Sequence, residues 1–195
     1  MIDAILHIDR ALLLFINGLS HPILDYLMWT FSSKWFNMPL IFLISMALLR
    51  NYPLRQVLAF IGIAILSIAA IDLLSTYAFK EGFERLRPSH VQGLREQLHF
   101  HRMADGSFYQ GGQFGFVSAH AANLVGILVL LWPYFGTQKW MRSLVTILVV
   151  LISVSRVYLG VHYPSDIIAG AAFGALFAYA VRRLLIRPYL FNPVA

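Results

Sequence analysis

Cysteine is absent from all 195 residues, which excludes disulfides, thiolate zinc sites and thiol catalysis. Charge is scarce as well: only 12% of residues are Asp, Glu, Lys or Arg, where a soluble domain averages about 25%. Hydrophobic residues make up 59% of the chain. That balance excludes an ordinary water-soluble protein and identifies an integral membrane protein, with a length that suits one domain over residues 1–195. Internal repeats, low-complexity tracts and interdomain linkers are missing. The first twenty residues lack a basic leading segment and a small-residue cleavage site, so a cleavable signal peptide is not expected there.

What the chain has in abundance is long apolar runs. Five segments, near 22–50, 54–79, 114–135, 140–160 and 163–186, reach the roughly 20 apolar residues that a span needs. The predicted fold is an all-α polytopic membrane bundle of five to six spans. In residues 1–20, Asp3, His7, Arg10 and Asn17 share a narrow arc at about 100° per residue, which predicts an amphipathic helix lying in the interface. A short spanning helix with a few tolerated polar groups is the other reading of that segment. Connections are short except for the loop 80–113, which holds most of the charge. The links at Arg50 to Arg55 and Lys139 to Arg142, with Arg182, Arg183 and Arg187, carry basic residues and no acids, and by the positive-inside rule they face the cytoplasm. The loop 80–113 then faces the extracytoplasmic side.

Three short stretches at the ends of apolar runs carry charge that needs a reason to be there. They are Lys80 to Pro88, which includes Arg87; Val117-Ser118-Ala119-His120; and Ser155-Arg156 followed by His162 and Asp166. Together they supply three fixed cations, two histidines and a carboxylate, an inventory that fits phosphoryl transfer through a histidine nucleophile. Counting along the helices places them at one level. His120 lies sixteen residues before Gly136, Arg156 sixteen after Trp140, and Asp166 sixteen before Arg182, so each sits about 24 Å from the cytoplasmic boundary. Lys80, 25 residues from Arg55, requires its helix to tilt, end early or protrude. Ser118 and His120 near a helix N-terminus would offer free N–H groups to an anion. Asp166 falls in the first turn of a helix opened by Pro164.

These residues resemble the tripartite signature of the type 2 phosphatidic acid phosphatase family, which includes membrane lipid phosphatases and, more distantly, soluble vanadium haloperoxidases. The first and third stretches match throughout. The second departs, reading Val-Ser-Ala-His where the family usually has Pro-Ser-Gly-His or Pro-Ser-Asp-His, but it keeps Ser118 and His120. Chemistry and the resemblance imply the same roles. His162 attacks phosphorus and forms a phosphohistidine, and Asp166 fixes its tautomer. His120 protonates the departing oxygen and then activates water. Lys80, Arg87 and Arg156, with Ser118 and Ala119, hold the phosphate oxygens, so no metal or other cofactor is expected.

The substrate expected is a membrane lipid phosphate presented from the bilayer. Undecaprenyl diphosphate stands first, with lipid A or phosphatidylglycerophosphate as alternatives, in a bacterial inner (plasma) membrane with the site on the extracytoplasmic face. Haloperoxidation is disfavoured because those relatives are soluble. A non-enzymatic phospholipid binder or transporter is the remaining class, and no nucleic-acid partner is expected.

Several other features call for structural roles. Gly170 and Gly174 form a Gly-x-x-x-Gly that predicts a helix-packing face. Gly111, Gly112 and Gly115 loosen the loop but lack the lysine of a P-loop. His99 and His101 alternate in the loop as exposed residues or as metal ligands. Asp72, costly in lipid, is expected to bond nearby hydroxyls such as Ser75 or Thr76, or to act functionally. Lys34 either breaks the first span or points into the substrate cavity.

Overall fold

The computed structural model describes residues 2–33, 36, 39, 40, 43, 44, 47, 50, 52–135 and 138–186. Lys34, Gly136 and Arg187 lie outside the described residues, as does most of the predicted span 22–50 beyond Ser33. Six helices order the rest: α1 Ile2–Asn17, α2 Pro22–Ser32, α3 Leu54–Leu74, α4 Ala119–Leu131, α5 Lys139–Tyr158 and α6 Pro164–Val181. Among the described residues there is no strand, only the isolated antiparallel bridges Leu86–Phe114 and Arg102–Phe108. The all-α membrane bundle expected from composition is therefore what forms.

Among the described residues, three helices are long and apolar enough to cross a bilayer: Leu54–Phe83, Lys139–Tyr158 and Pro164–Ile186. The pair Ile5–Asn17 and Pro22–Ser32 meets at a bend of 116° and could supply one more, while Ala119–Phe135 is shorter. The short helix has a physical reason. The predicted segment 114–135 gives up its first residues to a loop, because Ser118 acts as N-cap and its hydroxyl accepts from the Ala121 N–H. The misfit of Lys80 is also resolved. α3 does not end early but continues through a π-helical turn, Ser75–Lys80, and a last α turn, Glu81–Phe83. Thirty residues in one run span about 45 Å at 1.5 Å each, against a hydrocarbon core of about 30 Å. A helix of that length must tilt or protrude, and Lys80 lies near its C-terminal end.

α4 and α6 pack closely against each other, and their small residues explain it. A Cβ added at Gly170 would collide with the Ser118 carbonyl oxygen, and one at Gly174 with that of Ala122. This is the packing face the Gly-x-x-x-Gly spacing predicts. Away from the long loop, Val57 and Phe60 of α3, Leu130 and Leu131 of α4, Val145 and Val149 of α5, and Ala178 of α6 form the main core.

At the other end α1 closes the molecule. Asp9, Leu13 and Asn17, at i, i+4 and i+8, are buried against the protein, while Ile5, Leu6, Ile8, Leu12 and Phe15 are exposed. Asn17, one of the polar residues on the predicted arc, turns inward. Its amide donates to the His99 and Tyr158 carbonyls, both at 2.7 Å, and accepts from the His99 N–H at 2.8 Å. The loop histidines have structural partners too: His101 stacks on Trp29 with centroids 4.0 Å apart, and His99 faces Asp25 at 3.3 Å. Together these contacts fasten the loop onto α1 and α2.

Candidate active site

The link between α5 and α6 is short and tightly built. Gly160 takes a positive φ of 71°, which a glycine adopts without strain, and Pro164 then opens α6 at its first position. His162, between them, is 1% exposed. Asp166, in the first turn of α6, caps that helix by accepting the Tyr163 N–H on Oδ2 at 3.0 Å. The same oxygen lies 3.3 Å from His162 Nδ1.

The other ring nitrogen identifies the tautomer. Arg87 Nη1 lies 3.1 Å from His162 Nε2, and a guanidinium can only donate. Nε2 therefore carries the lone pair and Nδ1 the proton that points at Asp166. Burial, followed by the positive charges of Arg87, Arg156 and Lys80, drives the His162 pKa well below its ordinary value. The imidazole is neutral at pH 7, and its Nε2 lone pair accepts from Arg87, a cation suited to holding a phosphate oxygen beside it. Arg87 is itself pushed down to about 10 by burial and by Arg156, which still leaves it charged at neutral pH.

Arg87 is pinned by the loop rather than by a carboxylate. Its Nε donates to the Phe114 carbonyl at 3.1 Å and its Nη1 to that of Val161 at 3.3 Å. The loop can come this close because Gly111, at φ 70°, has no side chain; a Cβ there would lie 2.8 Å from Arg87 Nη1. Arg156, in the last turn of α5, is 2% exposed. It donates from Nη1 to the Ser32 hydroxyl and from Nη2 to the Tyr109 hydroxyl at 2.8 Å. Its Nε has no partner among the described residues. An orphaned buried donor costs about 1–3 kcal/mol, and a phosphate oxygen would satisfy it.

α4 supplies the remaining groups. The Ser118 N–H is spent on the Asp166 carbonyl at 3.0 Å, which ties the second stretch to the third. The Ala119 N–H lies in the first turn of α4, where amides lack intrahelical acceptors. His120, on that first turn, is exposed and lies within electrostatic reach of Arg156, His162, Arg87 and Lys80. Lys80 is half-buried and within reach of Arg87 and Asp72. The structure thus brings His162, Asp166 and Arg87 into direct contact, with Arg156, His120, Lys80, Ser118 and Ala119 around them.

Four further residues belong to the arrangement. Arg85 donates from Nη1 to Asp166 Oδ1 at 2.8 Å and to the Ser165 hydroxyl at 2.6 Å, and from Nη2 to Asp9 Oδ2 at 2.7 Å. Arg85 lies inside the first stretch, and asking what holds the far oxygen of Asp166 would have singled it out. Asp9, Ser32 and Tyr109 sit in no local pattern, and only the folded chain assigns them a place. Asp72 departs from expectation, since its carboxylate accepts from the Asn123 amide on α4 at 2.8 Å. The hydroxyl of Ser75 is buried with no partner among the described residues.

The arrangement has the parts for in-line displacement at phosphorus: a neutral, oriented imidazole, fixed cations, and a second histidine open to a leaving group. The chain matches the family model of the PAP2 superfamily over residues 57–188. A lipid A 4'-phosphatase of Bacteroides thetaiotaomicron is 33% identical over 198 residues, covering 100% of this chain and 86% of its own length. A lipid A 4'-phosphatase of Porphyromonas gingivalis is 31% identical over 184 residues, 94% of this chain and 75% of its own. The crystal structure of a transmembrane PAP2 type phosphatidylglycerolphosphate phosphatase from Bacillus subtilis superposes with a TM-score of 0.70 at 23% identity, over 97% of this chain and 90% of that one. At that identity the likeness is one of fold.

Proposed function

We propose, from the premise that the chain belongs to the PAP2 superfamily and is an integral membrane lipid phosphatase, that its substrate is lipid A, dephosphorylated at the 4'-position. The observation that carries this reading is the pair of relatives bearing that name, each aligned over almost the whole of this chain. Undecaprenyl diphosphate, first in expectation from sequence, becomes the competing substrate. The site lies on the extracytoplasmic face of the inner membrane in this reading, as the basic links on the opposite side suggest.

The chemistry follows from the site. His162 Nε2 attacks phosphorus while the ester oxygen departs with a proton from His120, leaving a phosphohistidine and a free lipid hydroxyl. His120, now neutral, takes a proton from water, whose oxygen attacks the phosphohistidine and releases inorganic phosphate with His162 regenerated. A sugar alkoxide is a poor leaving group, so protonation by His120 matters more here than for a diphosphate. Arg87, Arg156, Lys80, the Ser118 hydroxyl and the Ala119 N–H hold the oxygens whose charge develops in the transition state.

Lipid A, undecaprenyl diphosphate and phosphatidylglycerophosphate offered to the purified protein in one detergent test the substrate. Lipid A should lose one phosphate, located to the 4'-position by mass spectrometry, with the highest kcat/KM of the three. Turnover of the isoprenoid with intact lipid A would overturn the assignment.

A further inference from the structure

Asp9 is buried to 4% on a helix that carries none of the three sequence stretches, and a buried carboxylate is costly unless paired. It is fully occupied. Oδ1 accepts the Ser165 N–H at 2.9 Å, and Oδ2 accepts from Arg85 at 2.7 Å and from the Ser165 hydroxyl. Arg85 in turn grips Asp166 Oδ1 at 2.8 Å, and its guanidinium lies 4.2 Å over the Tyr163 ring. An unbroken chain of contacts thus runs Asp9, Arg85, Asp166, His162, crossing from α1 through the long loop to α6.

We infer that Asp9 and Arg85 are positioning residues for the nucleophile: they hold Asp166 aimed at His162 Nδ1 and set the net charge His162 faces. The inference rests on His162 being the nucleophile. Two physical consequences separate it from a simple clamp for α1. The first is geometric. Asp166 has two oxygens and one rotatable carboxylate plane; with Oδ1 held by Arg85 and Oδ2 by the Tyr163 N–H, only one orientation keeps Oδ2 on Nδ1. The second is electrostatic. Arg85 alone would cancel the charge of Asp166, leaving nothing to support the positive ring that forms when His162 attacks. Asp9 restores one net negative charge to the trio.

Charge near His162 also sets where protonation removes the nucleophile, seen as the acid limb of kcat/KM. The other groups facing His162 are Lys80 of α3, His120 of α4, Arg156 of α5 and Arg87 of the loop, and none changes in the variants proposed. Removing a negative charge makes the ring harder to protonate and moves the limb to lower pH. Removing a positive charge moves it to higher pH. Asp9→Asn and Arg85→Gln should therefore shift the limb in opposite directions, while both lower kcat by about 10–100-fold, as misplacement of a reacting group does, and leave KM within about twofold. A residue that only fastens α1 would lower thermal stability and leave the limb where it is.

The test uses the full chain purified in detergent, with lipid phosphate release followed from pH 4 to pH 9 alongside thermal unfolding. Arg85→Lys keeps the cation and loses the fork; its limb should match the parent while kcat falls, and this variant decides the matter if Arg85→Gln does not fold. His162→Ala is measured in parallel. Its inactivity upholds the nucleophile, and undiminished activity removes the premise rather than the relay. With the nucleophile upheld, limbs that stay put, or move the same way in Asp9→Asn and Arg85→Gln, overturn the inference.

Discussion

His162 is held between a donor and an acceptor, and that sandwich decides its chemistry. Arg87 on Nε2 and Asp166 beside Nδ1 leave one tautomer, and the depressed pKa keeps it neutral. His120 has the complementary setting, exposed on the first turn of α4 and free to meet a departing oxygen. His120→Ala should lower kcat/KM, which reports the steps through leaving-group departure, by about 10²–10⁴-fold on a lipid monoester. The loss should shrink on a substrate whose leaving group needs no proton, such as a nitrophenyl phosphate. An equal loss on both substrates would take the general-acid role from His120. The residues in contact at the centre were legible because polar groups at the ends of apolar runs stand out, and their spacing matched a known pattern. Arg85, Tyr109 and Asp9 were not. Arg85 and Tyr109 carry no spacing signal of their own, and Asp9 lies on a helix whose polar residues are read from sequence as an interfacial or a short spanning segment.

Helix ends, more than helix lengths, place these side chains. α4 starts late so that Ser118 can cap it and Ala119 can keep an open N–H. α5 stops at Tyr158 so that Gly160 can turn the chain back, and α6 opens with Pro164 so that Asp166 falls at its third position. These ends are locked together by the close passage of α4 along α6. Gly174→Leu would drive a side chain into the Ala122 carbonyl, where the neighbour is backbone and cannot rotate away. The variant should unfold at lower temperature in detergent, by about 1–3 kcal/mol or more, and lose activity because Ser118 moves with its helix. Full stability and activity would show that the contact is not tight. Spans 54–79, 140–160 and 163–186 were readable to within a few residues of the helices, because long apolar runs are the strongest signal a membrane chain carries. The late start of α4 and the π turn that ends at Lys80 carry no sequence signal, since both depend on which backbone groups find partners in the fold.

At the level of the whole molecule, charge is divided between the two ends of the bundle. Arg55, Lys139, Arg142, Arg182 and Arg183 lie where the spans begin or finish away from the candidate site, with no acid among them, and the long loop lies at the opposite end with the candidate site. Single cysteines can be introduced cleanly because the chain has none of its own. On intact spheroplasts Gly106→Cys should react with an impermeant maleimide and Gln138→Cys should react only after permeabilisation. The reverse pattern would put the site on the cytoplasmic side and remove the extracytoplasmic lipids as substrates. The catalytic expectations hang on one buried histidine acting as the nucleophile in the proposed mechanism. The most direct measurement is rapid acid-free quench of the protein turning over a lipid phosphate with a radiolabelled phosphate group, followed by peptide mapping. A label that is acid-labile, alkali-stable and confined to His162, and absent in His162→Ala, is the predicted result. Label on another residue, or steady turnover by His162→Ala, would contradict it.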